Sequence, residues 1–369
     1  MAEKRILYLC PTLLHLMNCI VTQMTVNKEY PADIMFEDVT DFSEIEKRLK
    51  THPVFENFYT FHFTDEIPKY KELSGAEKRK VDHKPSKIFT MPKFQKKYTD
   101  LCVNIDSYAP KMVYYNLLEQ GMQPKVHFVS EGTGTYALDF ANTERDQMDH
   151  GHYGTRAFLN NIGNLYAYKP ELYSGDSELV NLVELPQYSA VSAEVHDVIS
   201  DVFGVADTVK EKVIFFEGVF HGDGYLTNEM DLFLEIADHV GKENIVVKRH
   251  PRNQVDRFSP LGYKVMAQQT IPWEVMIKDI DFSQKVLVSV ASFTCFSAME
   301  MYGKKSLSIL LEDAMLGHAG FLMDPGYKRF FRKAKGLFNS EEIVSWRPTG
   351  IKELHLVLDV LGEKIGGWQ

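Results

Sequence analysis

Several short stretches of this sequence end an apolar run on polar side chains that could take part in chemistry. In VVKRHP, Pro251 cannot continue a ladder of strand hydrogen bonds, so a strand must stop at His250. Ligands bind at the carboxyl ends of strands in open α/β sheets. An imidazole there, preceded by Lys248 and Arg249, could donate a hydrogen bond or a proton to a phosphate. The alternative is a loop cap among solvated charges.

A carboxylate follows another apolar run. The stretch SEGTGTY, residues 130–136, begins where the run KVHFV ends. Glu131 at that position could act as a general base for a hydroxyl, and Gly132 would let the backbone approach a ligand closely. The alternative interpretation of the same residues is a glycine turn with a solvated glutamate. The stretch is not a dinucleotide fingerprint, because GxGxxG should open a helix after the first strand.

Two further stretches offer groups for a nucleotide. In VSVASFTCFSAMEMYG, residues 288–303, a strand brings Ser292 and Thr294 to the start of a helix, where hydroxyls and backbone N–H groups could bind an anion. Plain N-caps are the alternative. In IPWEVM, residues 271–276, Glu274 could accept hydrogen bonds from ribose hydroxyls, whereas Trp273 is more typical of a core than of a base-stacking platform.

The elements that position these groups alternate between strand and helix. Strands are expected at 5–10, 32–38, 55–63 and 125–130, and again at 212–218, 244–251, 285–290 and 305–311. This order predicts an α/β fold with two Rossmann-like domains facing a central cleft, 1–180 and 181–369. The last helix, 352–364, is a candidate for packing back on the N-terminal domain. Residues 64–98 have no clean period, and 141–177 read as irregular.

Composition narrows the class of protein. The 41 basic and 51 acidic residues argue against a nucleic-acid partner. The four cysteines lie far apart without ligand spacing, so we expect neither a zinc site nor a disulfide framework, and a reducing compartment. No apolar run reaches the roughly 20 residues of a membrane span, and we expect the N-terminus to be a strand and helix. The basic residues of 328–335, beside Phe330, Phe331 and Phe338, could attach the protein peripherally to anionic lipid.

In chain order the chemistry-bearing stretches resemble the bacterial sialyltransferases, including the lipooligosaccharide and capsular polysialic-acid types. Those families share an acidic motif ending in glycine, an HP motif preceded by lysine, and a Ser/Thr-rich motif. The matching stretches are SEG at 130–132, KRHP at 248–251 and SFT at 292–294. CPTLLHLMN, residues 10–18, resembles the first strand-to-helix turn of the lipooligosaccharide type. Ser130 replaces the first acidic residue of the family motif, and Phe293 separates hydroxyls that are often adjacent.

The resemblance implies a GT-B fold and an inverting transfer of sialic acid from CMP-sialic acid to a hydroxyl of a lipooligosaccharide or capsular acceptor. It implies no metal and no other cofactor. By this resemblance Glu131 is the base and His250 assists departure of the CMP phosphate. The site residues it implies are Lys248, Pro251, Glu274, Ser292 and Thr294 for the donor, and Thr12, His15, Asn18 and Gly132 for the acceptor side.

Two other functions fit the same sequence. The same scaffold could use another nucleotide-activated sugar, or the chain could be a glycan-binding homologue without turnover, which the serine at position 130 keeps open. Location in the cytoplasm, peripherally on the inner face of its membrane, is the expectation for any of these. The sequence does not define the acceptor, the linkage or the oligomeric state.

Overall fold

The computed structural model describes residues 3–87, 89–105, 107–137, 155–175, 177–205, 208–267, 271–317 and 325–368. The chain divides into two compact units. The N-terminal unit is Met1–Pro186 with Ala190–Val202, and the C-terminal unit is Gln187–Ser189 with Phe203–Gln369. The sequence placed the division at 180/181, whereas the structure keeps a further strand and most of the following helix with the N-terminal unit.

The N-terminal unit contains a parallel sheet whose strands follow the order β3-β2-β1-β4-β5-β6-β7. Its strands are β1 (Ile6–Cys10), β2 (Ala32–Glu37), β3 (Phe58–Phe61), β4 (Asp100–Val103), β5 (Lys125–Val129), β6 (Ile162–Ala167) and β7 (Asn181–Glu184). Its helices are α1 (Leu13–Thr25), α2 (Ser43–Leu49), α3 (Phe63–Glu72), α4 (Gly75–His83), α5 (Tyr108–Glu119), α6 (Thr133–Ala137), α7 (Thr155–Leu159) and α8 (Ala193–Phe203).

The order of these strands creates a switch point. From β1 the chain builds outward through β2 to β3, and it then returns to β1 and builds the other way through β4. β1 is buried along its whole length, as expected for a parallel strand covered on both faces. Loops after β1 and β4 leave in opposite directions, which opens a crevice at the carboxyl edge of the sheet.

The C-terminal unit repeats this plan with a parallel sheet in the order β10-β9-β8-β11-β12-β13. Its strands are β8 (Val213–Phe216), β9 (Ile245–Lys248), β10 (Lys264–Val265), β11 (Val286–Ser289), β12 (Leu307–Leu310) and β13 (Ser345–Trp346). Its helices are α9 (Glu229–Val240), α10 (Trp273–Met276), α11 (Ser297–Tyr302), α12 (Pro325–Phe338) and α13 (Ile351–Lys364). The switch point here lies between β8 and β11.

The last helix packs within the core of the C-terminal unit. Leu354, Leu358 and Leu361 of α13 are buried in the core of the C-terminal unit, together with α9 and the sheet. Each such side chain contributes about 1.5–3 kcal/mol when it is fully buried. The apolar face of α13 is therefore covered within the C-terminal unit, and packing of this helix on the N-terminal domain stays a prediction.

Two strands lie in segments that the sequence left irregular or assigned to a crossing. β6 reads IGNLYA and β7 reads NLVE, and both pair in parallel at the end of the first sheet. Residues 138–154, part of the segment expected to be irregular, lie outside the described residues. Within the described ranges, no helix has both the length and the apolar character required to cross a membrane.

Candidate active site

The carboxylate of Glu131 lies at the switch point of the first sheet, where three strand ends converge. Glu131 follows β5, and its Oε1 accepts a hydrogen bond of 2.9 Å from the Thr12 hydroxyl, which follows β1. Its Oε2 accepts a hydrogen bond from the side-chain amide of Asn104, which follows β4. Donors from two sides fix the direction of the carboxylate. The Thr12 and Asn104 side chains are neutral hydrogen-bond donors, as at a site that holds an anion. Neither of them adds a negatively charged ligand for a metal ion.

The turn that carries Glu131 is closed by its own residues. The Glu131 backbone N–H donates to Thr135 Oγ1 at 2.9 Å, and that hydroxyl donates to the Asn104 carbonyl at 3.2 Å. Gly132 has a φ of +85°, in the left-handed region that a side chain with a Cβ rarely adopts. The glycine of the SEG stretch is therefore needed for the backbone path that presents Glu131.

The residues expected on the acceptor side take different positions. Thr12 caps α1 by accepting from the His15 N–H at 3.2 Å, and its hydroxyl also reaches Glu131. Asn18 is buried; its amide donates to the Ser130 carbonyl at 2.6 Å, and its Oδ1 accepts from Tyr168. His15 is fully buried, and burial lowers its pKa to about 3.

His15 and Asn18 are both buried in the N-terminal unit, and their assignment to the acceptor side stays a prediction. Asn18 supports the turn that carries Glu131 through its hydrogen bond to the Ser130 carbonyl. Thr12 remains at the carboxyl edge and contacts the candidate base directly.

In the C-terminal unit, His250 follows β9 as expected. Hydrogen bonds from backbone N–H groups hold its loop in place. The His250 N–H donates to Glu217 Oε2 at 3.2 Å, and the Arg252 N–H donates to His250 Nδ1 at 3.2 Å. Burial, together with the charge of Arg252, lowers the pKa of His250 to about 4. The neutral ring accepts at Nδ1, so its proton is on Nε2, which becomes a hydrogen-bond donor. Pro251 is exposed, and β9 already ends at Lys248, two residues before the His250 at which the sequence placed the end of the strand.

A buried ionic cluster, which the sequence analysis did not predict, supports this loop. Arg257 Nη2 donates to Glu217 Oε1 and to Glu229 Oε2, each at 2.8 Å. The Gly218 N–H donates to Glu229 Oε1 at 2.6 Å. Burial raises the pKa of Glu229 to about 7, against the opposing effects of Gly218 and Arg257. Because Glu217 also holds the His250 N–H, the cluster fixes the path of the loop that carries the imidazole.

The hydroxyls of the SFT stretch lie on a tight turn after β11. Ser292 Oγ accepts from the Thr294 N–H at 3.2 Å and lies 2.5 Å from Thr294 Oγ1. A 3-10 turn, Phe293–Cys295, follows, and α11 has only six residues. The helix expected here is therefore present but short, and any helix-dipole effect on an anion is small.

The presence of Phe293 between the two hydroxyls has a structural reason. Its ring is buried and lies 5.2 Å from that of Phe330 in α12. This contact anchors the hydroxyl turn to the core of the C-terminal unit. Adjacent hydroxyls would leave no side chain at this position for the contact.

Lys248 and Glu274 are enclosed next to this turn. Lys248 Nζ donates to the Ile271 carbonyl at 3.1 Å, and burial lowers its pKa to about 8. Glu274 is buried and accepts from Ser297 at 2.9 Å; burial raises its pKa. The proposed contact between Glu274 and ribose is therefore not supported by its enclosed position. Trp273 is a core residue, whose indole N–H donates to the Thr294 carbonyl at 3.1 Å.

Residues 23–311 match the sequence family of the alpha-2,8-polysialyltransferases. The chain belongs to this family. The resemblance drawn from the SEG, KRHP and SFT stretches is thereby confirmed at the level of the family. No curated protein sequence matches the chain.

Solved structures similar to the chain include complexes with UDP and with a UDP-sugar. TcCGT1 in complex with UDP is 12% identical with a TM-score of 0.54, over 99% of this chain and 92% of that one. UGT89C1 of Arabidopsis thaliana, complexed with UDP-L-rhamnose, is 10% identical with a TM-score of 0.52, over 99% and 90%. At this identity the likeness concerns the fold alone. The fold of this alpha-2,8-polysialyltransferase family member is confirmed as two Rossmann-like domains of the GT-B glycosyltransferase type, and glycosyl transfer is the activity that its family supports.

The sequence missed Asn104, Glu217, Glu229 and Arg257. Asn104 follows β4, whose four residues are too short and mixed to register as a strand. The rule that polar residues at strand ends are candidates would have found it once β4 was recognised. Glu217 follows β8 in the same way. Glu229 and Arg257 lie in a helix and a loop, and only the fold brings them together.

Proposed function

We propose that this glycosyltransferase moves sialic acid from CMP-sialic acid to a hydroxyl of a glycan acceptor, with inversion at the anomeric carbon. The observation that carries the proposal is the family match, together with a strand-end carboxylate whose two oxygens are both held by neutral donors. The N-terminal unit supplies the base for the acceptor, and the C-terminal unit supplies the groups for CMP.

The reaction is a single displacement. The acceptor oxygen forms a bond to the anomeric carbon of sialic acid, while the bond from that carbon to the phosphate oxygen breaks. Glu131 takes the proton of the acceptor hydroxyl, and the electron pair of the broken bond leaves with CMP. Thr12 and Asn104 orient Glu131 for this transfer.

Departure of CMP requires stabilisation of the charge that develops on its phosphate. His250 is neutral near pH 7 and donates from Nε2, so its role is that of a hydrogen-bond donor to the phosphate. Lys248 adds a positive charge that is present below about pH 8. Ser292 and Thr294 supply hydroxyls on the turn after β11. We propose that these groups suffice without a metal ion.

The experiment that tests this function is incubation with CMP-sialic acid and a panel of galactosides and sialosides, with and without chelator. We expect release of CMP, a new glycosidic linkage of inverted configuration by NMR, and equal rates with chelator. Transfer from UDP-sugars alone would favour the other donor class. Absence of CMP release with every acceptor would favour a binding protein without turnover.

We further propose that α12 holds the protein peripherally on the cytoplasmic face of an anionic membrane. Arg332 and Lys335 are exposed on this helix, in a chain of net charge −10. Phe330 and Phe331 are buried in the protein and cannot enter lipid, so attachment would be electrostatic. Co-sedimentation should require anionic lipid in vesicles and should weaken with salt and in R332E/K335E. Equal sedimentation with neutral vesicles would contradict it.

A further inference from the structure

Thr135 lies on the turn that carries the candidate base, and the mechanism above assigns it no role. It belongs to the short helix α6 and is fully buried. Its hydroxyl accepts a hydrogen bond from the Glu131 N–H at 2.9 Å and donates one to the Asn104 carbonyl at 3.2 Å. A single side chain therefore joins the chain after β5 to the chain after β4.

The two residues that Thr135 joins also contact each other through their side chains. Asn104 Nδ2 donates to Glu131 Oε2, so Glu131, Thr135 and Asn104 form a closed ring of hydrogen bonds. Asn104 is 4% exposed, and among the described residues its Oδ1 has no hydrogen-bond partner. The amide oxygen therefore does nothing to fix the side chain, and the direction of the amide depends on where the Asn104 backbone lies.

The helix that carries Thr135 is held in place from its other side. Ser174 donates twice to the Tyr136 carbonyl, from its N–H at 2.9 Å and from its hydroxyl at 2.8 Å. α6 has only five residues, too few to be stable through its own hydrogen bonds. The contacts from Ser174 therefore help to fix the position of the Thr135 hydroxyl.

We propose that Thr135 is a positioning residue, which holds the Asn104 backbone at the place from which the Asn104 amide donates to the Glu131 carboxylate. This inference rests on the proposed function, in which Glu131 is the base. Because its side chain is enclosed, Thr135 contacts neither the acceptor nor the nucleotide. Loss of the hydroxyl should therefore reduce turnover without weakening the binding of either substrate.

The test compares Thr135→Val, which keeps the shape of the side chain and removes the hydroxyl, with Thr135→Ser, which keeps the hydroxyl. The kcat of CMP release should fall about tenfold in the valine variant, as for the loss of one hydrogen bond, and stay within about twofold of wild type in the serine variant. The acceptor KM and the Kd of CMP should change less than about twofold in both.

The matched control is Thr25→Val, which removes a hydroxyl that donates to the Val21 carbonyl at 2.6 Å, at the end of α1. It should keep the kcat of wild type. Circular dichroism checks the fold of each variant, and Thr135→Ala takes the place of the valine variant if the latter does not fold. A folded variant without the Thr135 hydroxyl that turns over like wild type would overturn the proposal.

A double-mutant cycle tests the route through Asn104. Asn104→Ala alone should lower kcat about tenfold. If Thr135 acts through Asn104, the combination with Thr135→Val should lose about as much as Asn104→Ala alone. Independent effects would multiply to about a hundredfold loss, and that result would contradict the proposed route.

A second readout needs no turnover. In ¹⁵N–¹H spectra, the side-chain amide of Asn104 should follow the ionisation of the Glu131 carboxyl in wild type, Thr135→Ser and Thr25→Val. In Thr135→Val this pH-dependent shift should be at least halved. That result in a protein that transfers no sialic acid would refute the proposed function and leave the positioning role intact. An undiminished shift in Thr135→Val would refute the positioning role, whatever the activity.

Discussion

The two sheet edges hold their candidate catalytic groups in different ways. At the first edge the side chain of Glu131 is held directly, with one donor on each carboxylate oxygen. At the second edge the backbone of the His250 loop is held by a buried ionic cluster, and the ring contacts only a backbone N–H through Nδ1 among the described residues. A base that takes a proton needs a fixed direction, whereas a phosphate donor needs a free N–H on a fixed loop. The comparison predicts that mutations at the first edge affect turnover and that mutations under the second edge affect stability.

The largest effect is expected for Glu131→Gln. This change removes the base and keeps the size of the side chain, so kcat should fall by about 10²- to 10⁴-fold. The measurement is the rate of CMP release at saturating donor and acceptor, with Glu171→Gln as the exposed control. The Kd of CMP should not change. Turnover like that of wild type would remove Glu131 from the mechanism.

His250→Ala should lower both turnover and nucleotide affinity. The loss of the Nε2 donor should reduce kcat by about 10²-fold or more and weaken CMP binding, because that donor contacts the phosphate in both states. His221→Ala, an exposed imidazole on a neighbouring loop, is the matched control. An unchanged CMP affinity together with an unchanged kcat would show that the phosphate lies elsewhere.

The ionic cluster should matter for stability. Arg257→Leu leaves Glu217 and Glu229, 4% and 1% exposed, without their shared partner. Breaking a buried pair in this way costs about 3–5 kcal/mol, measurable as a lower midpoint in urea denaturation. Arg252→Leu removes an exposed arginine paired with Asp223, and should change the free energy of unfolding by less than about 1 kcal/mol. Equal effects of the two changes would contradict a supporting role for the cluster.

Asn104→Ala tests whether the Asn104 amide orients the Glu131 carboxylate at the first edge. Removal of the Asn104 donor to Glu131 should lower kcat about tenfold and leave the Kd of CMP unchanged, because Asn104 lies in the N-terminal unit. Asn104→Asp places a carboxylate against Glu131 and should reduce kcat further. If Asn104→Asp were as active as wild type, the amide would not be orienting a carboxylate.

Much of this site follows from the sequence, for a physical reason. Lys248, His250 and Glu131 lie within three residues of the end of an apolar run, so a parallel sheet must bring them to its carboxyl edge. Asn104 was not predicted as a site residue because β4 is short. β6 was not predicted as a strand because Asn164 and Gly163 interrupt its apolar pattern. The burial of His15 and Glu274 and the packing of α13 depend on which elements cover each other, which periodicity does not encode.

The most direct test of the central claim is a crystal structure of the protein with CMP. We expect the phosphate about 3 Å from His250 Nε2 and within hydrogen-bond reach of the Ser292 or Thr294 hydroxyl. A nucleotide bound elsewhere, with its phosphate away from both the imidazole and the hydroxyl turn, would contradict it.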